Sequence, residues 1–128
     1  MTTGIYKNWQ VQEIVNGYLE AILFAECDEK ERYLDERFTI SSFSHDARNK
    51  AVLDCVKFLT RAWEADILID NFQEAGANLY FARQGHGVGF FDNPETWGGK
   101  EHADKLQEIA ETFSEIYVVE SNGVLYIE

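Results

Sequence analysis

One continuous apolar stripe limits what the N-terminal part of this chain can become. Val11, Ile14, Val15, Tyr18, Leu19, Ile22 and Leu23 fall at i, i+3, i+4, i+7, i+8, i+11 and i+12, which places all of them on one face of an α-helix. Gln10, Gln12, Glu13, Asn16 and Glu20 fill the opposite face. Such a helix must bury its stripe against another layer. Gly17, inside the stripe, reads as a mild propensity cost. The chain has 128 residues, 45% of them apolar. That size suits a single domain over 1–128, with enough core to need no metal or disulfide.

Residues 1–8 are polar and expected to be loosely held. The segment from Cys27 to Arg37 is densely charged with mixed sign and reads as an extension of the first helix or a short separate turn. Phe38, Ile40 and Phe43 pin the following link to the core. Ser42 or Ser44 supplies an N-cap, with Asp46 in the first turn of a second helix running to about Ile69. Cys27 and Cys55 are expected as small core residues on helical faces, in a reducing cytoplasm. Beyond this helical part, 9–70, the period changes. Asn78 to Ala82 is aromatic and reads as a strand, Gly85 to Gly87 as its turn, and Val88 to Phe91 as an antiparallel partner. Lys100 to Phe113 has the spacing of a third helix. Ile116 to Glu120 and Val124 to Ile127 flank Asn122-Gly123, the strongest short hairpin signal. The predicted fold class is α+β, in the order α-α-β-β-α-β-β: a four-stranded antiparallel sheet with helices packed on one face, and with aromatics exposed on the other face as a binding surface.

Charge is the strongest global signal, a net −12. Residues 1–64 carry 8 Lys/Arg against 11 Asp/Glu, and residues 65–128 carry 3 against 12. Such a surface repels nucleic acid and anionic membranes and favours a basic protein partner. Glu101, Asp104, Glu108, Glu111 and Glu115 recur along the outside of the third helix and form the candidate interaction surface. Asp66 and Asp70 read as a solvated pair one helical turn apart.

The run Arg83-Gln84-Gly85-His86-Gly87-Val88-Gly89-Phe90-Phe91-Asp92 is the other candidate. It is not a dinucleotide loop, because its glycines stand between two predicted strands with no helix N-terminus behind them. No Gly-Lys-Ser/Thr follows, no HExxH occurs, and no calcium-loop spacing is present. As a site it would use Arg83, His86 and Asp92, with Asp92 or Glu95 orienting the imidazole, Gly85, Gly87 and Gly89 opening a pocket, and Trp97 or Tyr80 walling it. His45 and His102, at helix starts, are expected to have no role.

The stretch from Leu79 to Asp92 resembles a segment of small tailed-bacteriophage proteins, of the form aromatic-x-x-Arg-Asn-Gly-His-Gly-x-Gly-Phe-Trp-Asp. Gln84 replaces its Asn and Phe91 its Trp. The resemblance covers about the last 55 residues and carries no catalytic residue or cofactor with it. It implies a phage or prophage accessory protein in bacterial cytoplasm. The expected function is non-enzymatic: binding and modulating or inhibiting a basic, nucleic-acid-handling host protein, with DNA mimicry as one mode, and with no metal and no cofactor. The alternatives are a small-ligand or catalytic site at 83–92, and a phage structural or assembly protein that oligomerises through the sheet; a homodimer is among the expected partners.

Overall fold

The computed structural model describes residues 6–128. It contains four helices and one C-terminal hairpin: α1 Asn8–Ala25, α2 His45–Glu64, α3 Phe72–Gln84, α4 Lys100–Glu111, β1 Val118–Ser121 and β2 Val124–Ile127. Residues 1–5, part of the expected loose terminus, lie outside the described residues. Tyr6 is packed edge-on against Phe72 at 5.7 Å and against Trp63 at 6.5 Å.

Among the described residues the predicted four-stranded sheet is absent, and the sheet has two strands, β1 and β2, paired antiparallel. The segment read as the first hairpin is helix α3, followed by two 3₁₀ turns, Phe90–Asp92 and Pro94–Trp97. The physical reason lies in α3's own spacing. Phe72, Ala75, Gly76, Leu79, Tyr80 and Arg83 are all buried and stand at i, i+3, i+4, i+7, i+8 and i+11, one helical face. That face closes only when a glycine and an arginine are counted as core residues. The aromatic content that suggested a strand is a weak preference which tertiary packing overrides.

The helix stops at a Schellman motif. Gly85 adopts a left-handed φ of 69°, His86 N–H donates to the Phe81 carbonyl (3.1 Å) and Gly85 N–H to that of Ala82 (3.2 Å). The His86 and Phe81 rings pack with centroids 5.9 Å apart, the side-chain contact that accompanies this cap. The expected turn glycine is therefore a helix terminator.

Helices α1 and α3 form the closest pair. A Cβ built on Gly17 would lie 2.0 Å from the Gln73 carbonyl oxygen, and one on Gly76 would lie 2.0 Å from that of Ile14. The two glycines bring backbone against backbone at the crossing, so Gly17 is a packing requirement.

Other elements lie close to expectation. Ser44 caps α2, accepting from Ala47 N–H at 3.0 Å, with Asp46 in the first turn. Helix α2 ends at Glu64, short of Ile69. Ile67 and Ile69 are buried with Leu68 between them exposed, the alternation of an extended segment. Phe38 and Phe43 are buried and Ile40 packs against the core. Cys55 is buried, but Cys27 is exposed, bridged to Tyr33 in a separate turn after α1. The C-terminal hairpin turns at Asn122 (φ 53°) and Gly123 (φ 81°), as a type I′ turn requires. It is tied to the helices by Ser44 N–H donating to the Leu125 carbonyl at 2.9 Å and by the burial of Leu125 and Ile127.

Candidate functional site

Helix α4 buries Ala103, Leu106, Ile109 and Ala110. Amphipathic spacing then turns Glu101, Asp104, Glu108 and Glu111 to solvent, where all four are exposed. Glu115, also exposed, lies beyond the helix end at Glu111, in the link to β1. Two of these carboxylates are partnered on the surface: Lys100 reaches Asp104 at 2.6 Å and Lys105 reaches Glu108 at 3.3 Å. Exposed pairs of this kind hold little energy and leave the local charge negative.

The fold adds acidic groups that the sequence does not connect with α4. A groove of about 520 Å³ separates α4 from the link after α2, lined by Asp66, Ile67, Glu101, His102, Asp104 and Glu108 among others. A second cleft of about 370 Å³ shares Asp66 and His102 with it and adds Leu68, Asp70, Glu95 and Trp97. The two adjoin at these shared residues, and we describe them as one trough, lined by six carboxylates and by Lys105. At its margin Leu68 is 71% exposed. His102 Nδ1 is 3.0 Å from the Trp97 carbonyl. A carbonyl only accepts, so this nitrogen carries the ring proton. Among the described residues, no three His, Cys, Asp or Glu side chains gather closely enough to hold a metal ion. The trough offers spread negative charge.

Asp66 is central to both cavities and has an unusual backbone. It sits at φ 63°, as the residue after the end of α2. Ile67 N–H donates to Ala62 (3.0 Å) and Asp66 N–H to Trp63 (2.9 Å), a second Schellman motif. Glycine is the usual residue there, and a residue with a Cβ adopts that conformation at a cost, smaller for aspartate than for most. The chain keeps a carboxylate in the trough at that conformational cost. Sequence spacing does not reveal the cap, because it places Asp66 and Asp70 one helical turn apart in a continuing helix.

The residues of the 83–92 stretch do not converge. Arg83 turns into the core. Its Nη1 donates to Asp54 Oδ2 (2.6 Å) and to Tyr18 Oη (3.0 Å), its Nε donates to the Ser114 carbonyl (2.7 Å), and its guanidinium lies 5.3 Å from the Phe113 ring. His86 is exposed and leans edge-on against Tyr80 at 5.6 Å. Gly85 and Gly87 hold left-handed φ values in the loop. Asp92 accepts from Gly89 N–H at 2.8 Å, and Gln107 accepts from Phe90 N–H at 3.0 Å. Trp97 is buried edge-on against Phe90, at 5.0 Å. Arg83, Gly85 and Asp92 thus have local structural roles.

The core around Arg83 holds three protonated acids. Burial pushes the Tyr18 and Tyr80 phenols and the Cys55 thiol well above their ordinary values. For Tyr80 the Glu26 carboxylate, which accepts its O–H, adds to the shift. The folded chain keeps these protons, whereas an unfolded one releases them near 9.0 for Cys55 and 10.0 for the tyrosines. Their contribution is complete below about pH 9 and falls as pH rises above it, by up to about 1.4 kcal/mol per pH unit for each group. Urea unfolding between pH 8 and 11 should show this loss, and Tyr80→Phe should remove one proton from its slope.

No helix among the described residues is long and apolar enough to cross a membrane. In comparisons with family models, curated proteins and solved structures, the chain matches none.

Proposed function

We propose that this chain is a non-enzymatic binding module that docks a basic host protein, of the kind that handles nucleic acid, in the acidic trough between α4 and the link after α2. The observation that carries the reading is Asp66: a carboxylate kept at a strained position, shared by both halves of a trough with six acidic side chains. Backbone strain retained at a surface where charge is gathered is a mark of function. The phage-like motif supports the same context by resemblance alone.

The magnitude of the charge decides how such a surface would recognise its partner. Helix α4 has 12 residues, about 18 Å of length. Over that distance a DNA duplex carries about ten charges, whereas Glu101, Asp104, Glu108 and Glu111 are offset by Lys100 and Lys105. The helix is too sparsely charged to imitate a duplex by itself. Recognition by separate ion pairs around the exposed Leu68 is the better account.

The test uses a dodecameric oligolysine peptide and fluorescence anisotropy at physiological salt. Neutralising Asp66, Glu101, Asp104 and Glu108 to their amides should weaken binding roughly tenfold, as four modest ion pairs would. Neutralising Glu13, Glu31, Asp35 and Glu64, four exposed carboxylates elsewhere, should change it less than about twofold. Equal losses in the two sets would mean that only net charge matters and would overturn the proposal. Asp66→Gly separates the two sides of the trade: it should gain about 1 kcal/mol of stability while weakening binding.

A further inference from the structure

We infer that β1 is a self-pairing edge, and that two copies of this chain join through it into a continuous four-stranded sheet centred on Val119. This surface is separate from the acidic trough and does not rest on the reading given to it.

The hydrogen-bond register shows which groups are available. Tyr117 and Glu128 exchange both backbone bonds, at 3.1 and 2.7 Å. Pairs in an antiparallel ladder alternate, so Val119 with Tyr126 and Ser121 with Val124 are also hydrogen-bonded pairs. Val118 and Glu120 therefore aim their N–H and C=O groups away from β2, to the free edge. The two outward carbonyls of β2 are taken: that of Leu125 accepts from Ser44 N–H and that of Ile127 from Lys50 Nζ at 2.8 Å. Among the described residues no backbone group bonds to the outer edge of β1. The edge carries no proline, bulge or lysine; what stands against pairing is its shortness, four residues, and the charge of Glu120.

The edge is complementary to itself. About a two-fold axis through Val119, Val118 of one copy faces Glu120 of the other. Both residues have outward groups, so each pair can exchange two backbone bonds. Alternation places Glu120 on the same face of the hairpin as Leu125. Along that face, beside β1, runs a groove of about 520 Å³ whose lining includes Lys30, Arg32 and Arg37. Arg37 already holds its own Glu120 at 3.2 Å and Asp28 at 3.1 Å. A second Glu120, brought opposite Val118, enters this groove, where Lys30, Arg32 and Arg37 stand among Asp28 and Glu29. On the other face Tyr117, Val119 and Tyr126 are all exposed, and pairing would join them to their copies as one apolar strip.

Cysteine cross-linking tests the geometry directly. Val119 would face its own copy in a non-hydrogen-bonded pair, with Cα atoms about 4.5 Å apart, within the range for a disulfide. Val119→Cys, in a Cys27→Ser background that removes the exposed native thiol, should form a disulfide dimer under mild oxidation at least about tenfold faster than Tyr126→Cys, equally exposed but one strand from the edge. Light scattering in high salt, where charge repulsion is screened, should show the mass rising with concentration toward twice the 14.7 kDa of one chain. Val119→Glu, which sets two like charges across the axis, should return it to the monomer with unchanged helicity. A monomer at all concentrations with equal cross-linking rates would overturn the inference. So would a dimer in which Val119→Cys cross-links no faster than Tyr126→Cys, since that dimer uses another face.

Discussion

Replacing either crossing glycine by alanine is expected to be the most damaging conservative change in this protein. The added Cβ of Gly17→Ala would lie 2.0 Å from the Gln73 carbonyl oxygen and 2.7 Å from its carbon. That of Gly76→Ala would lie 2.0 Å from the Ile14 oxygen and 2.7 Å from Tyr18 N. No rotamer relieves a clash between two backbones, so α1 and α3 must move apart along an interface that includes Ile14, Tyr18, Leu79 and Tyr80. Alanine's better helix propensity returns only about 1 kcal/mol. A loss of at least about 3 kcal/mol is expected, the upper end for overpacking, from a total that for a domain of this size is about 5–15 kcal/mol. Urea unfolding followed by tryptophan fluorescence measures it. The double variant should cost clearly less than the sum of the two singles, because helices already displaced by one methyl accommodate the other. Near-neutral single variants would show that the helices do not meet at these residues.

Arg83→Met is expected to cost about 2–4 kcal/mol. Methionine fills much of the volume but leaves the buried Tyr18 hydroxyl and the Ser114 carbonyl without their donor, each costing about 1–3 kcal/mol if unpaired. Breaking a buried ion pair usually costs about 3–5 kcal/mol. The Asp54 side chain is 32% exposed and can turn to water, which lowers the figure. Tyr18→Phe in the Arg83→Met background should recover about 1 kcal/mol by removing the orphaned hydroxyl. A loss below about 1 kcal/mol in the same urea experiment would mean that Arg83 does not organise the junction of α1, α2, α3 and the segment after α4. The expectation also separates a structural arginine from one in a surface site, whose loss would leave stability nearly unchanged.

How much could be read from the sequence varies by element. The stripe of α1, the Ser44 cap of α2, the inward face of α4 and the Asn122-Gly123 turn were legible because local signals and tertiary burial agree there. The segment 72–84 was misread because its helical face includes Gly76 and Arg83. One is buried for lack of a side chain, the other only because Asp54, Tyr18 and Ser114 meet its charge. Without those partners in view, the aromatics between them look like a strand. Gly85 compounded the error, since a left-handed glycine serves a helix end and a hairpin equally well. Of the acidic face, Glu101, Asp104, Glu108 and Glu111 were readable from helical spacing. Asp66, Asp70 and Glu95 were not, because they come from other segments and reach the trough only when α2 stops at Glu64.

By itself the sequence determined which faces of α1, α2 and α4 turn inward, where the last hairpin bends and how unevenly charge is distributed, since each depends on residues within a few positions of one another. The tertiary structure alone decided that the middle of the chain is a helix, that Gly17 and Gly76 are one contact, that Arg83 is core and that the carboxylates share a trough. Those outcomes rest on contacts between residues distant in sequence, where a partner's backbone or charge changes what a glycine, an arginine or an aspartate costs.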